Sequence, residues 1–275
     1  MNTLKKLVFG LLLMLPFFGN SQTETEALRP FIIGETRVFK SVILNEDRTL
    51  HVYLPEGFDK EKSYPVIYLL DGSADEDFLH IVGLVQFYKM QFNMPDFIVV
   101  GIANVDRKRD FTFHTDLEDL KKSYPTTGHS AKFIDFVEKE LQPFVNTAYK
   151  TTETKYIIGQ SLGGLLATEI LLKKPSLFTH YLIVSPSLWW DDESLLKEAK
   201  VLLAKQAEMK QYVYISVGLQ EDKIMIKEAA AISEILKKAN KKLQVVYYPL
   251  EKENHATILH SSISEAFKGL FPFKE

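Results

Sequence analysis

Between Tyr156 and Ala167 the chain reads Tyr-Ile-Ile-Gly-Gln-Ser-Leu-Gly-Gly-Leu-Leu-Ala. A short β-branched and aromatic run is followed, across a serine with glycine two places before and two places after it, by a Leu- and Ala-rich helical pattern. Only a sharp strand-to-helix turn joins two such elements. Small residues are needed on either side of that turn so that strand and helix can approach each other. A chain carrying this segment is therefore constrained to alternate strand and helix around a covered sheet.

The remaining pattern agrees. Candidate strands recur at Phe39 to Leu44, Leu50 to Leu54, Val66 to Leu70, Phe97 to Ile102, Lys155 to Ile158, Tyr181 to Val184, Tyr212 to Val217 and Leu243 to Tyr248. The first two read as an antiparallel hairpin turning at Asn45-Glu46-Asp47. From Val66 onward the runs are continuously apolar rather than alternating, as strands covered on both faces are. Helical patterns fall at Ser130 to Val145, at Gly163 to Lys173 ahead of Pro175, at Ile224 to Ala239 and after His255. The expected fold is α/β: a mostly parallel central sheet with an N-terminal antiparallel hairpin and helices on both faces.

Residues 1–21 read as a leader, with Lys5 and Lys6 ahead of the apolar stretch Leu7 to Leu15 and the small-residue zone Gly19-Asn20-Ser21-Gln22. That stretch is shorter than the roughly 20 residues that span a bilayer. The expectation is a secreted or periplasmic protein with no membrane insertion after cleavage, and residues 22–275 as one domain. The chain has no cysteine, which excludes disulfides, thiolate metal sites and a cysteine nucleophile. The formal charge of -3 gives no reason to expect a nucleic-acid partner.

Gly159-Gln160-Ser161-Leu162-Gly163 is a G-x-S-x-G motif with the right elements on both sides, so Ser161 is the candidate nucleophile. A serine hydroxyl needs a base within reach, normally a histidine oriented by a carboxylate. Of seven histidines, His255 follows the last strand in a polar loop, whereas His260 falls within the closing helix. Glu221 and Asp222 follow the strand Tyr212 to Val217, where the acid belongs. Glu221 is preferred, since Asp222 immediately precedes a helix and suits its cap. For an oxyanion, one N–H donor is expected from Leu162 and a second from Gly72 or Ser73.

At these residues the chain resembles the putative esterase family, which includes enterochelin esterases, S-formylglutathione hydrolases, feruloyl and acetyl xylan esterases and mycolyltransferases. The resemblance extends to Tyr68-Leu69-Leu70-Asp71-Gly72, Glu140-Leu141-Gln142-Pro143-Phe144, Ser185-Pro186-Ser187-Leu188-Trp189-Trp190 and His255-Ala256-Thr257. It implies the α/β-hydrolase fold, no cofactor or metal, and an acid three residues past the strand-end glycine, which is Glu221. Many relatives carry His-Gly at Asp71-Gly72, and aspartate is common where Glu221 stands. Ser185, Ser187, Trp189 and Trp190 resemble a segment that lines the pocket rim in relatives. Arg109, with Arg107 and Lys108, is a candidate contact for an anionic substrate. The expected activity is hydrolysis of a small-molecule carboxylic ester, siderophore and polysaccharide acyl esters included. Acyl transfer by the same residues and a catalytically silent binding protein are the alternatives.

Overall fold

A computed structural model describes residues 29–206, 209–239 and 242–274. The expected leader at 1–21 lies outside the described residues. Residues 29–32 carry no regular secondary structure, and from Ile33 onward the chain is one compact unit.

Among the described residues eight strands form one sheet: β1 (Glu35–Ser41), β2 (Glu46–Tyr53), β3 (Tyr64–Leu69), β4 (Ile98–Ile102), β5 (Thr151–Gln160), β6 (His180–Val184), β7 (Tyr212–Gly218) and β8 (Gln244–Leu250), in the order β1-β2-β4-β3-β5-β6-β7-β8. The pairs β1/β2 and β2/β4 are antiparallel and the other five are parallel. The hairpin is where the sequence suggested, but its turn is Val42 to Asn45, and β2 begins at Glu46. Asn45 takes the left-handed conformation there, φ 55°, which asparagine tolerates better than most residues.

Helices cover both faces. On one side lie α1 (Phe78–Gln91) and α9 (Ile258–Leu270), packed with Ile67, Leu69, Val99, Ile158, Leu182 and Tyr214. On the other lie α4 (Ser130–Phe136), α5 (Gln142–Tyr149), α6 (Leu162–Lys173), α7 (Trp190–Ala204) and α8 (Lys223–Ala239), packed with Val66, Tyr68, Ile157, Ile183 and Ile215. Short helices α2 (Arg107–Phe111) and α3 (Glu118–Ser123) fill the connection after β4. Successive residues of β3 thus enter opposite cores, which is why the strand reads as an uninterrupted apolar run.

The pattern at Ser130 to Val145 becomes two helices joined by a π-helical turn at Val137–Leu141. Pro143 accounts for it: proline has no N–H to donate, and its ring crowds the carbonyl four residues back, so the backbone widens by one residue. α1 and α7 are additional to the helices anticipated from the pattern. Both carry apolar residues on more than one side, which blurs a helical stripe.

Candidate active site

The parallel strands end on one edge of the sheet, and each of the last four delivers a piece of the site. Ser161 follows β5 at φ 59° and ψ −119°, a conformation L residues rarely adopt. Packing imposes it. A Cβ on Gly159 would lie 2.4 Å from the Gly163 carbonyl oxygen, and one on Gly164 would lie 2.9 Å from both Val184 O and Pro186 Cα. At Gly163 an added Cβ meets nothing closer than 3.4 Å, so the steric demand after the serine falls mainly on Gly164.

After β7, Glu221 turns its carboxylate back over the sheet edge, and its side chain is 1% exposed. Its Oε2 lies 2.7 Å from Nδ1 of His255, which sits in the turn between β8 and α9. Its Oε1 accepts hydrogen bonds from the Gly218 amide at 2.7 Å and from the Ser185 hydroxyl at 2.5 Å. Burial by itself would raise the Glu221 pKa; the hydrogen bonds from His255, Ser185 and Gly218 outweigh it and hold the carboxyl below its ordinary value. The Asp222 carboxylate instead accepts from the Ile224 amide at 2.9 Å, at the start of α8. His260 lies in α9, stacked on His80.

Ser161 and His255 line a common cleft of about 370 Å³ with Asp71, Glu76, Asp77, Arg107 and Gln160. The Ser161 hydroxyl lies 3.3 Å from Ser187 Oγ, within hydrogen-bond reach. Gln160 Nε2 donates to the His255 carbonyl at 2.5 Å and ties the histidine turn to the strand that carries the serine. Arg107 makes a two-point ion pair with Asp71, at 2.6 and 2.9 Å, and reaches the Gln160 carbonyl at 3.2 Å. The loop after β3, the loop after β4 and the serine turn are thereby joined. Among the described residues no group of three or more His, Cys, Asp or Glu side chains could hold a metal ion.

Leu162 heads α6, where the first amides of a helix have no intrahelical partner. Of the two expected second donors, Gly72 is corrected: its amide donates to Ile102 O at 3.0 Å and is used up within the fold. The glycine is there because a Cβ would lie 2.4 Å from Gly101 Cα. Ser73 remains; its amide donates a long, exposed hydrogen bond of 3.4 Å to Glu76 Oε2, which a substrate oxygen would have to displace.

Three expected substrate contacts lie elsewhere. Trp190 is fully buried and donates its indole N–H to Phe113 O at 3.0 Å. Trp189 is half-buried against the same core, and neither ring lines the cleft. Arg109 is committed to Glu46 at 2.6 Å and Asp110 at 2.7 Å, bracing β2 against α2; Arg107 is the basic residue of the cleft. Ser187, by contrast, is at the site, although buried and in contact with the serine rather than forming a rim.

A sheet of this order, with a serine at a strained turn after its central strand and a paired carboxylate and imidazole after the last two, defines an α/β-hydrolase. More closely, the chain belongs to the putative esterase family, whose model matches residues 41–262. The chain is 30% identical over 190 residues to the ferri-bacillibactin esterase BesA of Bacillus subtilis (strain 168). That match covers 61% of this chain and 64% of the relative, less than two thirds of its length. Among solved structures, an IroE-like serine hydrolase from Shewanella oneidensis superimposes with a TM-score of 0.79 at 29% identity, covering 86% of this chain and 80% of that one. The BES protein from Bacillus cereus does so with a TM-score of 0.77 at 27% identity, covering 90% and 98%.

Proposed function

We propose that this protein is a serine esterase that cleaves carboxylic esters through an acyl-enzyme. The observation that carries the reading is the 2.7 Å Glu221–His255 pair, with its imidazole lining the same cleft as Ser161. In the proposed cycle the Ser161 hydroxyl leaves Ser187 and attacks the ester carbonyl while His255 Nε2 takes its proton. Glu221 holds the opposite ring nitrogen and balances the imidazolium charge. The amides of Leu162 and Ser73 receive the oxyanion. The C–O bond then breaks, the alcohol leaves with the proton from His255, and water delivered by the same base releases the acyl group.

A siderophore ester is the substrate class we favour, because the relative BesA is a ferri-bacillibactin esterase. Export of the protein is part of the same proposal and rests on Lys5, Lys6 and the apolar stretch Leu7 to Leu15.

The test is hydrolysis of p-nitrophenyl acetate and butyrate by the protein beside Ser161→Ala and His255→Ala, with folding checked by circular dichroism. Loss of roughly 10³-fold or more in kcat/KM in both folded variants is expected. Activity of Ser161→Ala equal to wild type would remove Ser161 as nucleophile.

A further inference from the structure

The order β5-β6-β7-β8 places the exit of β6 between the serine that follows one neighbour and the acid that follows the other. That exit is Ser185-Pro186-Ser187, and it touches both. On one side Ser187 donates its amide to Ser161 O at 3.1 Å and sets its hydroxyl 3.3 Å from Ser161 Oγ. On the other, Ser185 donates its amide to Ser216 O at 2.8 Å, extending the β6/β7 ladder by one bond. Its backbone then turns to φ 41°, a region that costs a serine free energy and persists only where the surroundings impose it. The fully buried hydroxyl delivered by that turn donates to Glu221 Oε1.

Glutamate has one more side-chain torsion than aspartate, and its terminal carboxyl rotates over a broad range. A glutamate serving as the acid must therefore be held from outside. The Gly218 amide alone fixes one oxygen at a single point and leaves the carboxylate plane free to pivot; a second donor on the same oxygen, from the opposite strand, stops the pivot. We propose that Ser185 is a positioning residue for the reaction set out above: its hydroxyl fixes the Glu221 carboxylate so that Oε2 faces Nδ1 of His255. Ser185 acts through Glu221, and among the described residues it makes no hydrogen bond to Ser161 or His255.

The experiment is a double-mutant cycle on Ser185→Ala and Glu221→Gln, read by p-nitrophenyl acetate kinetics and by the downfield proton resonance of the His255 imidazole N–H. Ser185→Ala should lower kcat roughly tenfold, as expected for losing a hydrogen bond to a charged group, with KM changed by less than about twofold. The His255 resonance should shift or broaden. In the Glu221→Gln background the same substitution should cost less than about twofold. An equal loss in both backgrounds, or an unmoved resonance, would overturn the assignment. Ser185→Gly removes the same hydroxyl while relaxing the backbone, so it should match Ser185→Ala; a fully active glycine variant would trace the effect to the backbone instead. Failure of the esterase reading shows separately, as wild type no more active than Ser161→Ala, and the resonance then decides the role of Ser185 by itself.

Discussion

His255 Nδ1 and Glu221 Oε2 are 2.7 Å apart although 34 residues separate them in the chain, and the neighbouring carboxylate, Asp222, faces the other way to meet the Ile224 amide. One of the two adjacent acids serves the imidazole and the other caps a helix.

The two roles separate by substitution. Glu221→Gln should reduce kcat/KM by about 10²–10⁴-fold, because the imidazolium formed in the reaction loses its counter-charge. Asp222→Ala should leave kcat/KM within about threefold of wild type and cost about 1 kcal/mol of stability through the lost cap. Steady-state kinetics and urea denaturation of each variant check both. The reverse pattern would move the acid to Asp222.

The paired tryptophans should divide in the same way. Trp190 is wholly buried and hydrogen-bonded to Phe113 O, with Tyr124 edge-on at 5.2 Å, so Trp190→Ala is expected to destabilise the protein by about 3–5 kcal/mol. Trp189 is half-buried, and Trp189→Ala should cost less than half as much, with kcat/KM changed by less than about threefold. Denaturation midpoints and p-nitrophenyl butyrate kinetics report the two effects. A Trp189→Ala variant with a strongly raised KM would return that ring to the substrate path.

Glu228 should make a contribution to stability that falls as the pH rises from about 4.5 to about 8. It lies on α8, fully buried, beside the Glu193 side chain and the Trp189 backbone. Burial, reinforced by the negative charge of Glu193 and only partly opposed by Lys227, pushes its pKa up to about 8. A carboxyl that is protonated when folded and ionised when unfolded binds more protons in the native state, so its effect is neutral below pH about 4.5 and increasingly destabilising from there up to about pH 8. Glu228→Gln keeps the shape and removes the titration. Its Tm should exceed that of wild type at pH 8 and converge with it at pH 4, by roughly 2–4 °C for each kcal/mol relieved. A Tm difference that stays constant from pH 4 to pH 8 would mean that Glu228 does not titrate in this range.

The sequence alone determined the parallel part of the sheet and the chain order of serine, acid and histidine. Each depends on local information: apolar runs that must be covered on both faces, the glycines Gly159 and Gly163 on either side of the serine, and polar loops at strand ends. It also favoured Glu221 over Asp222, because capping is a contact between near neighbours. Only the tertiary structure decided which polar groups are free to act. The Gly72 amide is taken by Ile102, Arg109 by Glu46, and the Trp190 indole by Phe113, while Ser185 reaches Glu221 across 36 residues. Every one of these pairings joins strands or loops distant in sequence. A hydrogen-bonding group at a strand end can be recognised from its residue type, but its partner is set by which strand lies alongside, and that order, β5-β6-β7-β8 at the site, exists only once the sheet is assembled.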